Sequence, residues 1–359
     1  MMPEVTDTCP ILWPVRTNLK PKRKKVIKVG KQNLITDVPG IQVGNSRDEK
    51  IRTGVTVIIP DEPAIASADI RGGGPGTRET EVLNSDCLAD VVHGIVLSGG
   101  SAYGLDAAGG VMASLRIRKI GFNLSDAIIP IVPSAILFDL LNGGDKEWGV
   151  KSPYFDLGFK AAETIGTGFD LGNIGAGYGA IAGGLKGGLG SASFVFSDEA
   201  SIITVGAIAA VNSMGSLTMP GSPIMWAFPY EQNEEFGNQP MPEKNIGTDL
   251  DFTFELPTGK NTTLVTVATD AVLTKPQARR VAIMAQDGFA RAIRPIHSFF
   301  DGDSVFVLST GKCELLDPVS GVSKLGMLAA DCVVRAIARG VYHAKSIGDL
   351  DGYRDRYGR

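Results

Sequence analysis

A glycine-rich segment near the middle of the chain limits the possible folds more than any other feature. Residues 172–190 read GNIGAGYGAIAGGLKGGLG, and Gly accounts for 45 of the 359 residues. Backbones can approach one another closely where glycine replaces bulkier side chains. The sequence therefore predicts a core in which small residues let helices and strands pack tightly. A chain of this length has room for one large domain or for two.

Hydrophobic patterning alternates between strand-like and helix-like stretches. Apolar, β-branched runs at 53–59, 202–211 and 305–309 predict buried strands. Apolar residues at helical spacing predict helices over 275–293 and 325–342. This mixture predicts a layered α/β or α+β fold in which helices cover sheets.

Charge and composition restrict the partners and the compartment. The formal net charge is −4 and the isoelectric point about 5.5, which favours neither nucleic acid nor an anionic membrane surface. Residues 1–36 are predicted to form an irregular arm, and its basic run at 20–25 is either a solvated segment or a targeting patch. No apolar stretch predicts a signal peptide or a membrane span, so a cytoplasmic protein is expected.

Histidine and cysteine are too sparse for several kinds of site. The four cysteines show no metal-binding spacing, which indicates a reducing compartment and no metal site. The histidines are His93, His297 and His343, so a His-based triad or zinc site has few possible builders. We interpret His93 and His297 as structural.

A threonine at the entrance of a predicted strand offers chemistry that needs no histidine. The turn-like segment LPTGKN, residues 256–261, leads into the strand-like run 262–268. If the bond between Asn261 and Thr262 were cut, the new α-amine, with a pKa of about 7.7–8.0 in model compounds, would serve as the base for its own hydroxyl. The hydroxyl of Thr262 can itself attack the Asn261 carbonyl. The alternative is that Thr262 and Thr263 merely begin a strand, where β-branched residues are favoured.

Four strings in a consistent order resemble one enzyme family. They are LSGGSAYGLDAAGG (97–110), GNIGAGYGAIAGGLKGGLG (172–190), AAVNSMG (209–215) and NTTLVTVATDAVL (261–273). The chain resembles the β-peptidyl aminopeptidases, the family of L-aminopeptidase/D-esterase-amidases and nylon-oligomer (6-aminohexanoate-oligomer) hydrolases, over residues 38–340. This resemblance implies an α+β fold, a layered αββα sandwich that is N-terminal-nucleophile-hydrolase-like and ornithine-acetyltransferase-like.

Within that family, the chain looks most similar to the nylon-oligomer hydrolases. The nucleophile position holds Thr262 after Asn261, the later turn reads Phe-Asp-Gly-Asp over 300–303, and IRPIH precedes it at 293–297. The resemblance implies a single catalytic domain, residues 37–359. It also implies self-cleavage into a large fragment, 1–261, and a small fragment, 262–359.

The resemblance assigns roles to individual residues. Thr262 is expected to be the nucleophile and its freed amine the general base. Lys186 is expected to supply a cation that keeps this amine neutral, although a lysine in a surface turn is the plainer interpretation. Asn212 is expected to position the nucleophile or to donate to the oxyanion.

Three further residues complete the expected site. Tyr103 is expected to line the pocket and donate its hydroxyl, with a core position as the alternative. Asp301 and Asp303 are expected to hydrogen-bond the amine or Oγ1 of the nucleophile, with a turn-forming role as the alternative. Two carboxylates so close in sequence can differ in pKa, so that one carries a proton at neutral pH.

The implied reaction is hydrolysis of a small linear amide or peptide through an acyl-Thr262 intermediate, without metal or organic cofactor. Assembly into a homotetramer or larger homo-oligomer is implied as well. Two alternatives stay open: an acyltransferase of the ornithine acetyltransferase type, and a non-catalytic scaffold. The sequence leaves the physiological substrate and the choice of endo- or exo-cleavage open.

Overall fold

The structure is a computed structural model that describes residues 26–198, 201–243 and 261–358. Within these ranges, the strands are β1 (Ile27–Val29), β2 (Ile41–Asp48), β3 (Thr53–Pro60), β4 (Ala64–Ile70), β5 (Thr77–Arg78), β6 (Val91–Val92), β7 (Ile95–Ser98), β8 (Phe122–Leu124), β9 (Ala127–Ile129), β10 (Ser134–Ile136), β11 (Ile181–Ala182), β12 (Leu185–Lys186), β13 (Gly188–Asp198), β14 (Ser201–Val211), β15 (Leu264–Ala271) and β16 (Ser304–Cys313). The α-helices are α1 (Asp106–Ile117), α2 (Tyr154–Glu163), α3 (Lys275–Ala285), α4 (Asp287–Ala292), α5 (Pro318–Tyr342) and α6 (Tyr353–Tyr357).

Two mixed sheets form the centre of the molecule. The larger has seven strands in the order β1-β13-β14-β15-β16-β4-β6, and the smaller has five in the order β2-β3-β7-β10-β5. In the larger sheet β15 and β16 run parallel, whereas β14 is antiparallel to β15 and β4 is antiparallel to β16. Strands β11 with β12 and β8 with β9 form separate two-stranded hairpins.

Side-chain alternation along the strands divides the interior into layers. In β16, Val305 and Val307 enter one hydrophobic cluster, while Phe306 and Leu308 enter another between the two sheets. Successive residues of a strand point to opposite faces, so both faces of this apolar run are buried. The sequence predicts the run as a strand because it is continuously hydrophobic.

Helices cover the outer face of each sheet. The outer cluster of the seven-stranded sheet includes residues of α3, α4 and α5, and that of the five-stranded sheet includes residues of α1 and α2. The order helix, sheet, sheet, helix confirms the expected αββα sandwich. Among the described residues, no helix has both the length and the apolar character needed to cross a membrane.

The glycine-rich segment allows α5 to lie directly on β13. A Cβ at Gly190 would stand 1.9 Å from the carbonyl oxygen of Ala336, and one at Gly188 would stand 2.2 Å from that of Gly340. Any larger residue would push the helix away from the sheet. The expectation that small residues permit close packing is confirmed here.

Two segments are more ordered than the sequence pattern predicts. The predicted irregular arm includes β1, which pairs with β13, and Ile35, which is buried between the sheets; residues 1–25 lie outside the described residues. The segment 219–257, expected to be a long exposed loop, buries Met225 and Phe236 in its described part. Both differences arise because isolated apolar residues, without periodicity, give no strand or helix signal.

One end of the larger sheet gathers the predicted site residues. Because β15 and β16 are parallel and in register at Leu264 and Ser304, Thr262 and Asp303 lie just before the starts of neighbouring strands. Strand β14 ends beside the start of β15, and so brings Asn212 to the same edge. Strand β13 begins opposite the end of β14, and Lys186 precedes it there.

Candidate active site

Thr262 lies in the uncut chain with its hydroxyl against the peptide bond that precedes it. Its Oγ1 donates to the carbonyl oxygen of Asn261 at 2.6 Å, and its backbone N–H donates to the carbonyl oxygen of Asn212 at 2.6 Å. The residue is only 3% exposed. The hydroxyl and the Asn261 carbonyl are thus held together at the point where a self-cleaving chain would be cut.

The backbone N–H of Gly302 serves both partners of that contact. It lies 3.0 Å from the carbonyl oxygen of Asn261 and 3.1 Å from Oγ1 of Thr262. Asn261 and Asp301 also form a parallel β-bridge, which fixes the acidic turn, residues 300–303, against the peptide bond between Asn261 and Thr262. A donor on a carbonyl oxygen stabilises the negative charge that develops there when a nucleophile adds.

Asp303 is a fully buried carboxylate surrounded by N–H donors. Its Oδ1 accepts from the backbone N–H of Thr263 at 2.8 Å. Its Oδ2 lies 3.1 Å from the backbone nitrogen of His297 and 2.9 Å from the ring Nδ1 of the same residue. These contacts fix the position of the carboxyl group from both of its oxygens.

Asp301 is the other buried carboxyl group of the turn, and its surroundings differ. Its Oδ2 accepts from the backbone N–H and the hydroxyl of Ser298, whereas its Oδ1 makes no hydrogen bond of normal geometry to any described residue. Burial and the nearby charge of Asp303 raise the pKa of Asp301. The hydrogen bonds from Ser298 and, more weakly, the backbone N–H of Met214 oppose this shift. The two carboxyl groups are therefore different in kind, with Asp301 the one that retains a proton more readily.

The glycine loop at 71–76 packs against the acidic turn at 300–303. The backbone N–H of Gly74 donates to the carbonyl oxygen of Asp301 at 2.8 Å, and that of Arg71 donates to the carbonyl oxygen of Asp303 at 3.0 Å. A Cβ at Gly72 would stand 2.3 Å from the Asp301 carbonyl oxygen. The loop thus holds the turn through backbone contacts.

Asn212 touches Thr262 through its backbone, while its side chain organises two other segments. Its Oδ1 accepts from the backbone N–H of Ile181 at 2.8 Å, and its Nδ2 donates to the carbonyl oxygen of Phe138 at 3.2 Å. The side chain therefore joins the larger sheet to the segment that follows β10. Neither of these two side-chain hydrogen bonds involves the Thr262 hydroxyl.

Lys186 is buried, not on a surface turn. Its Nζ donates to the carbonyl oxygens of Gly177, Ala180 and Gly187 at 2.9, 3.1 and 2.7 Å. Burial lowers the pKa of Lys186 to about 7, and the charge of Asp139 acts in the opposite direction. The three carbonyl oxygens also favour the ammonium form. The carbonyl groups of Gly177 and Ala180 belong to the segment just before Ile181, whose backbone N–H donates to Asn212.

Asp139 is a buried counter-charge to Lys186 that is not among the residues expected from the sequence. Its Oδ2 accepts from the hydroxyl of Thr53 at 2.6 Å, and its Oδ1 accepts from the backbone N–H of Gly100 at 2.8 Å. Burial raises the pKa of Asp139, while the charges of Lys146 and Lys186 oppose that shift. Its position after β10 is a property of the fold, and the local sequence carries no motif that marks it.

Tyr103 lies at the surface of the site region, in a 3₁₀ turn over Ser101–Leu105. It is 54% exposed, so a core position is wrong, and its ring meets the edge of Trp148 at a centroid distance of 5.5 Å. The turn is joined to the site indirectly, because Gly100 binds Asp139.

The structure thus brings together most of the residues predicted from the sequence. Thr262, Asn212 and Asp303 belong to one contact network, with Asp301 beside Asn261. Within residues 26–198, 201–243 and 261–358, no group of three or more His, Cys, Asp or Glu residues could hold a metal ion.

Comparison with known proteins identifies the family. Residues 33–354 match the sequence profile of Peptidase family S58. The chain belongs to peptidase family S58. An uncharacterized aminopeptidase of Mycobacterium tuberculosis is 38% identical over 347 residues, which cover 90% of this chain and 98% of the relative. A 6-aminohexanoate-oligomer endohydrolase of a Kocuria species is 26% identical over 325 residues, covering 85% of this chain and 82% of the relative.

Solved structures of similar proteins share the fold. A Burkholderia β-aminopeptidase is similar with a TM-score of 0.69 and 24% identity, covering 92% of this chain and 93% of that chain. The L-aminopeptidase D-Ala-esterase/amidase of Ochrobactrum anthropi, described as a variant of the Ntn hydrolase fold, gives a TM-score of 0.67 and 21% identity over 92% of this chain and 96% of that chain. The N-terminal-nucleophile-hydrolase-like architecture is confirmed.

Membership of S58 makes this chain a hydrolase that acts on amide bonds. The family expected from the four sequence strings is therefore confirmed. Overall identity is higher to the mycobacterial aminopeptidase than to the endohydrolase, 38% against 26%. The features that resemble the nylon-oligomer hydrolases are short strings, namely Asn261–Thr262, IRPIH at 293–297 and the acidic turn at 300–303.

Proposed function

We propose that this S58 hydrolase is a self-processing amidohydrolase whose nucleophile is Thr262. Cleavage between Asn261 and Thr262 would give fragments 1–261 and 262–359, and the new N-terminal threonine would hydrolyse linear amides through an acyl-Thr262 intermediate. The substrates would resemble those named for its relatives, 6-aminohexanoate oligomers or β-peptides. The observation that carries this proposal is the 2.6 Å contact between Oγ1 of Thr262 and the Asn261 carbonyl oxygen, which also faces the Gly302 N–H.

The self-cleavage step follows from these contacts. Oγ1 of Thr262 attacks the carbonyl carbon of Asn261, and the oxygen that gains negative charge faces the N–H of Gly302. When the C–N bond breaks, the Asp301/Asp303 pair gives a proton to the nitrogen of Thr262, and the proton released from Oγ1 restores the pair. Water then hydrolyses the ester, which frees the hydroxyl and leaves a carboxylate on Asn261.

The mature enzyme would use the amine created by that step. The α-amine of Thr262 takes the proton of Oγ1 as the hydroxyl attacks the substrate carbonyl. The same proton passes to the departing amine of the substrate, and water then deacylates Thr262. A cationic Lys186 would favour the neutral form of this amine. Because burial lowers the pKa of Lys186 to about 7, that cation is present mainly below this pH.

A homo-oligomer of processed protomers in the cytoplasm forms part of the proposal. The hairpin of β8 and β9 exposes Phe122, Leu124 and Ile129 by 49%, 60% and 41%. Clustered exposed apolar side chains are typical of a surface that another subunit covers. Mass photometry of the cut and uncut protein measures whether such an assembly forms.

The test begins with the intact mass of the purified wild-type protein and of Thr262→Ala. We expect the wild type to give two fragments that meet at Asn261 and Thr262, and the variant to remain one chain. Thr262→Ser is the matched control, because it keeps the hydroxyl and should still be cut. Linear 6-aminohexanoate oligomers and short β-peptides are then incubated with each protein. A wild type that stays uncut and releases no amine from either substrate class would refute the proposal.

A further inference from the structure

We propose that His297 is a positioning residue of this site: its ring Nδ1–H holds Asp303 as the ionised member of the Asp301/Asp303 pair and leaves the proton on Asp301. This inference rests on the proposed function for its effect on rate. From the sequence alone His297 is expected to be structural, whereas its side-chain contact with Asp303 gives it a specific role.

The contact between His297 and Asp303 has the geometry of a charge-assisted hydrogen bond. Nδ1 lies 2.9 Å from Oδ2, and the backbone nitrogen of His297 lies 3.1 Å from the same oxygen. Because Oδ2 already accepts the backbone N–H, a ring nitrogen at this distance contributes most when it carries a hydrogen. The third donor, the N–H of Thr263, belongs to the residue next to Thr262.

The backbone of His297 is shaped to place the ring there. Its φ angle is +58°, in the left-handed region that most side chains avoid. The ring also packs on Phe289, with 5.6 Å between centroids, and the side chain is 21% exposed. One face of the imidazole is therefore fixed by α4, while Nδ1 faces the fully buried Asp303.

The other charged groups around this turn have partners elsewhere. Arg71 and Arg279 both form ion pairs with Asp69. The guanidinium of Arg294 lies over the Trp226 ring. Among the described residues, the ion pair formed by Asp303 is with His297, so no arginine replaces the imidazole as its donor.

The consequence for the chemistry is a division of roles between the two carboxyl groups. With His297 donating to Asp303, the shared proton resides on Asp301, whose Oδ1 makes no normal hydrogen bond to a described residue. That proton can then be donated next to Asn261, because Asn261 and Asp301 are paired in a β-bridge. Without the ring N–H, Asp303 competes for the proton, and the proton-donating form of Asp301 becomes less populated.

Two variants separate hydrogen bonding from backbone strain. His297→Asn keeps an N–H close to the position of Nδ1, whereas His297→Gly removes the donor, and both residues tolerate a positive φ. We expect the Asn variant to retain hydrolysis within about threefold, and the Gly variant to lose about 10- to 100-fold, the range for a hydrogen bond to a charged group. The pH–rate profile of the Gly variant should also differ from that of the wild type on its acid side, because the ring N–H that faces Asp303 is lost.

A merely structural His297 predicts a different pattern. Both variants would then lose activity together, in step with their thermal stability and with an unchanged pH profile. That result would overturn the proposal.

A readout that needs no turnover uses the small number of histidines. The chain has three, so ¹⁵N-histidine NMR of the uncut Thr262→Ala protein resolves few ring signals, and adding His297→Asn identifies those of His297. We expect Nδ1 of His297 to carry a hydrogen across neutral pH and to lose this state when Asp303→Asn is introduced. An Nδ1 without hydrogen would overturn the inference even if the chain cleaves itself. Failure of self-cleavage with a protonated Nδ1 would instead refute the proposed function alone.

Discussion

A Cβ atom at Gly302 would stand 2.7 Å from Oγ1 of Thr262. The absence of a side chain at this position lets the Gly302 N–H reach both the hydroxyl and the Asn261 carbonyl oxygen. The acidic turn therefore contributes a backbone donor as well as two carboxyl groups. Any side chain at Gly302 would displace either the turn or the hydroxyl.

Gly302→Ala should consequently slow self-cleavage. A shift of a few tenths of an ångström weakens the hydrogen bond to the Asn261 oxygen, and loss of one such donor costs about 10²- to 10³-fold in related chemistry. The measurement is the cut fraction by intact mass at fixed times after purification. Gly166→Ala is the control, because a Cβ there meets nothing within 4 Å. Cleavage of Gly302→Ala at the wild-type rate would contradict the assigned donor.

The glycine loop at 71–76 provides a matched pair of substitutions. A Cβ at Gly72 would stand 2.3 Å from the Asp301 carbonyl oxygen, whereas at Gly74 the nearest atom is 3.4 Å away. Overpacking a tight contact costs about 1–3 kcal/mol. Gly72→Ala should therefore lower both the unfolding temperature and the cut fraction, while Gly74→Ala leaves both close to wild type. Equal effects of the two variants in a thermal melt would show that the loop is not a close support.

Lys186 makes a prediction about pH. Its folded pKa of about 7 lies below the ordinary value of 10.5. Between these two values the unfolded chain holds a proton that the folded chain has released, so this lysine makes stability rise with pH across that window. Below pH 7 both states are protonated, and the cost of burial is constant.

Lys186→Met removes that titration. In the uncut Thr262→Ala background, the free energy of unfolding in urea should rise between about pH 7 and 9 with Lys186 present and should rise less in the Met variant. The Met variant should also be less stable overall, because three buried carbonyl oxygens lose their donor. Parallel pH profiles for the two proteins would mean that Lys186 keeps its ordinary pKa.

The interior ion pair between Arg335 and Glu235 joins α5 to the segment that contains Glu235. The Arg335 Nε and Glu235 Oε1 lie 2.5 Å apart, and both side chains are buried. Arg335→Met removes the nearer of two arginines that pair with Glu235, the other being Arg339 at 3.6 Å, so the cost should reach at most about 3–5 kcal/mol. The exposed pair of Lys151 and Asp156 is the control, since Lys151→Met should cost less than about 1 kcal/mol. Chemical denaturation of both variants in the uncut background measures the difference.

The sequence predicts local elements of this fold better than its contacts. Continuous apolar runs identify β14 and β16 as strands because both of their faces are buried. The parallel pairing of β15 with β16, which brings Thr262 next to the acidic turn, joins distant parts of the chain and leaves no local pattern. The αββα arrangement itself is expected only through the resemblance to a known family.

The candidate site divides in the same way. Thr262 is noticeable in the sequence because a hydroxyl follows a turn at the mouth of a strand. Lys186 is noticeable in the sequence as an isolated charge. Its burial cannot be predicted, because its ammonium group is hydrogen-bonded by backbone carbonyl groups, which every residue has. The glycines of the loop at 71–76 predict conformational freedom, but they do not predict that the loop contacts the acidic turn. Asp139 acts on Lys186 from a distant part of the chain, so no residue spacing in the sequence marks it.

The two carboxyl groups of the turn give opposite predictions when each is made neutral. Burial and the charge of Asp303 raise the pKa of Asp301. A raised pKa in the folded state means that this group stabilises the fold below its unfolded pKa, and that the stabilisation is lost as pH rises through the folded value. Asp301→Asn resembles the protonated form, so in the Thr262→Ala background it should raise the unfolding temperature near pH 8. The gain should shrink toward pH 4.

Asp303→Asn is the matched control for that measurement. Asp303 accepts hydrogen bonds from two backbone N–H groups and faces the His297 ring. In Asp303→Asn one of the two accepting oxygens is replaced by an NH₂ group, which cannot accept from these N–H donors. It should lower the unfolding temperature at pH 8, because a buried polar group left without a partner costs about 1–3 kcal/mol. Each unit by which the Asp301 pKa is raised corresponds to about 1.4 kcal/mol, so differential scanning calorimetry resolves both effects. Two variants that shift the unfolding temperature in the same direction would mean that the proton is not divided between the carboxyl groups in this way.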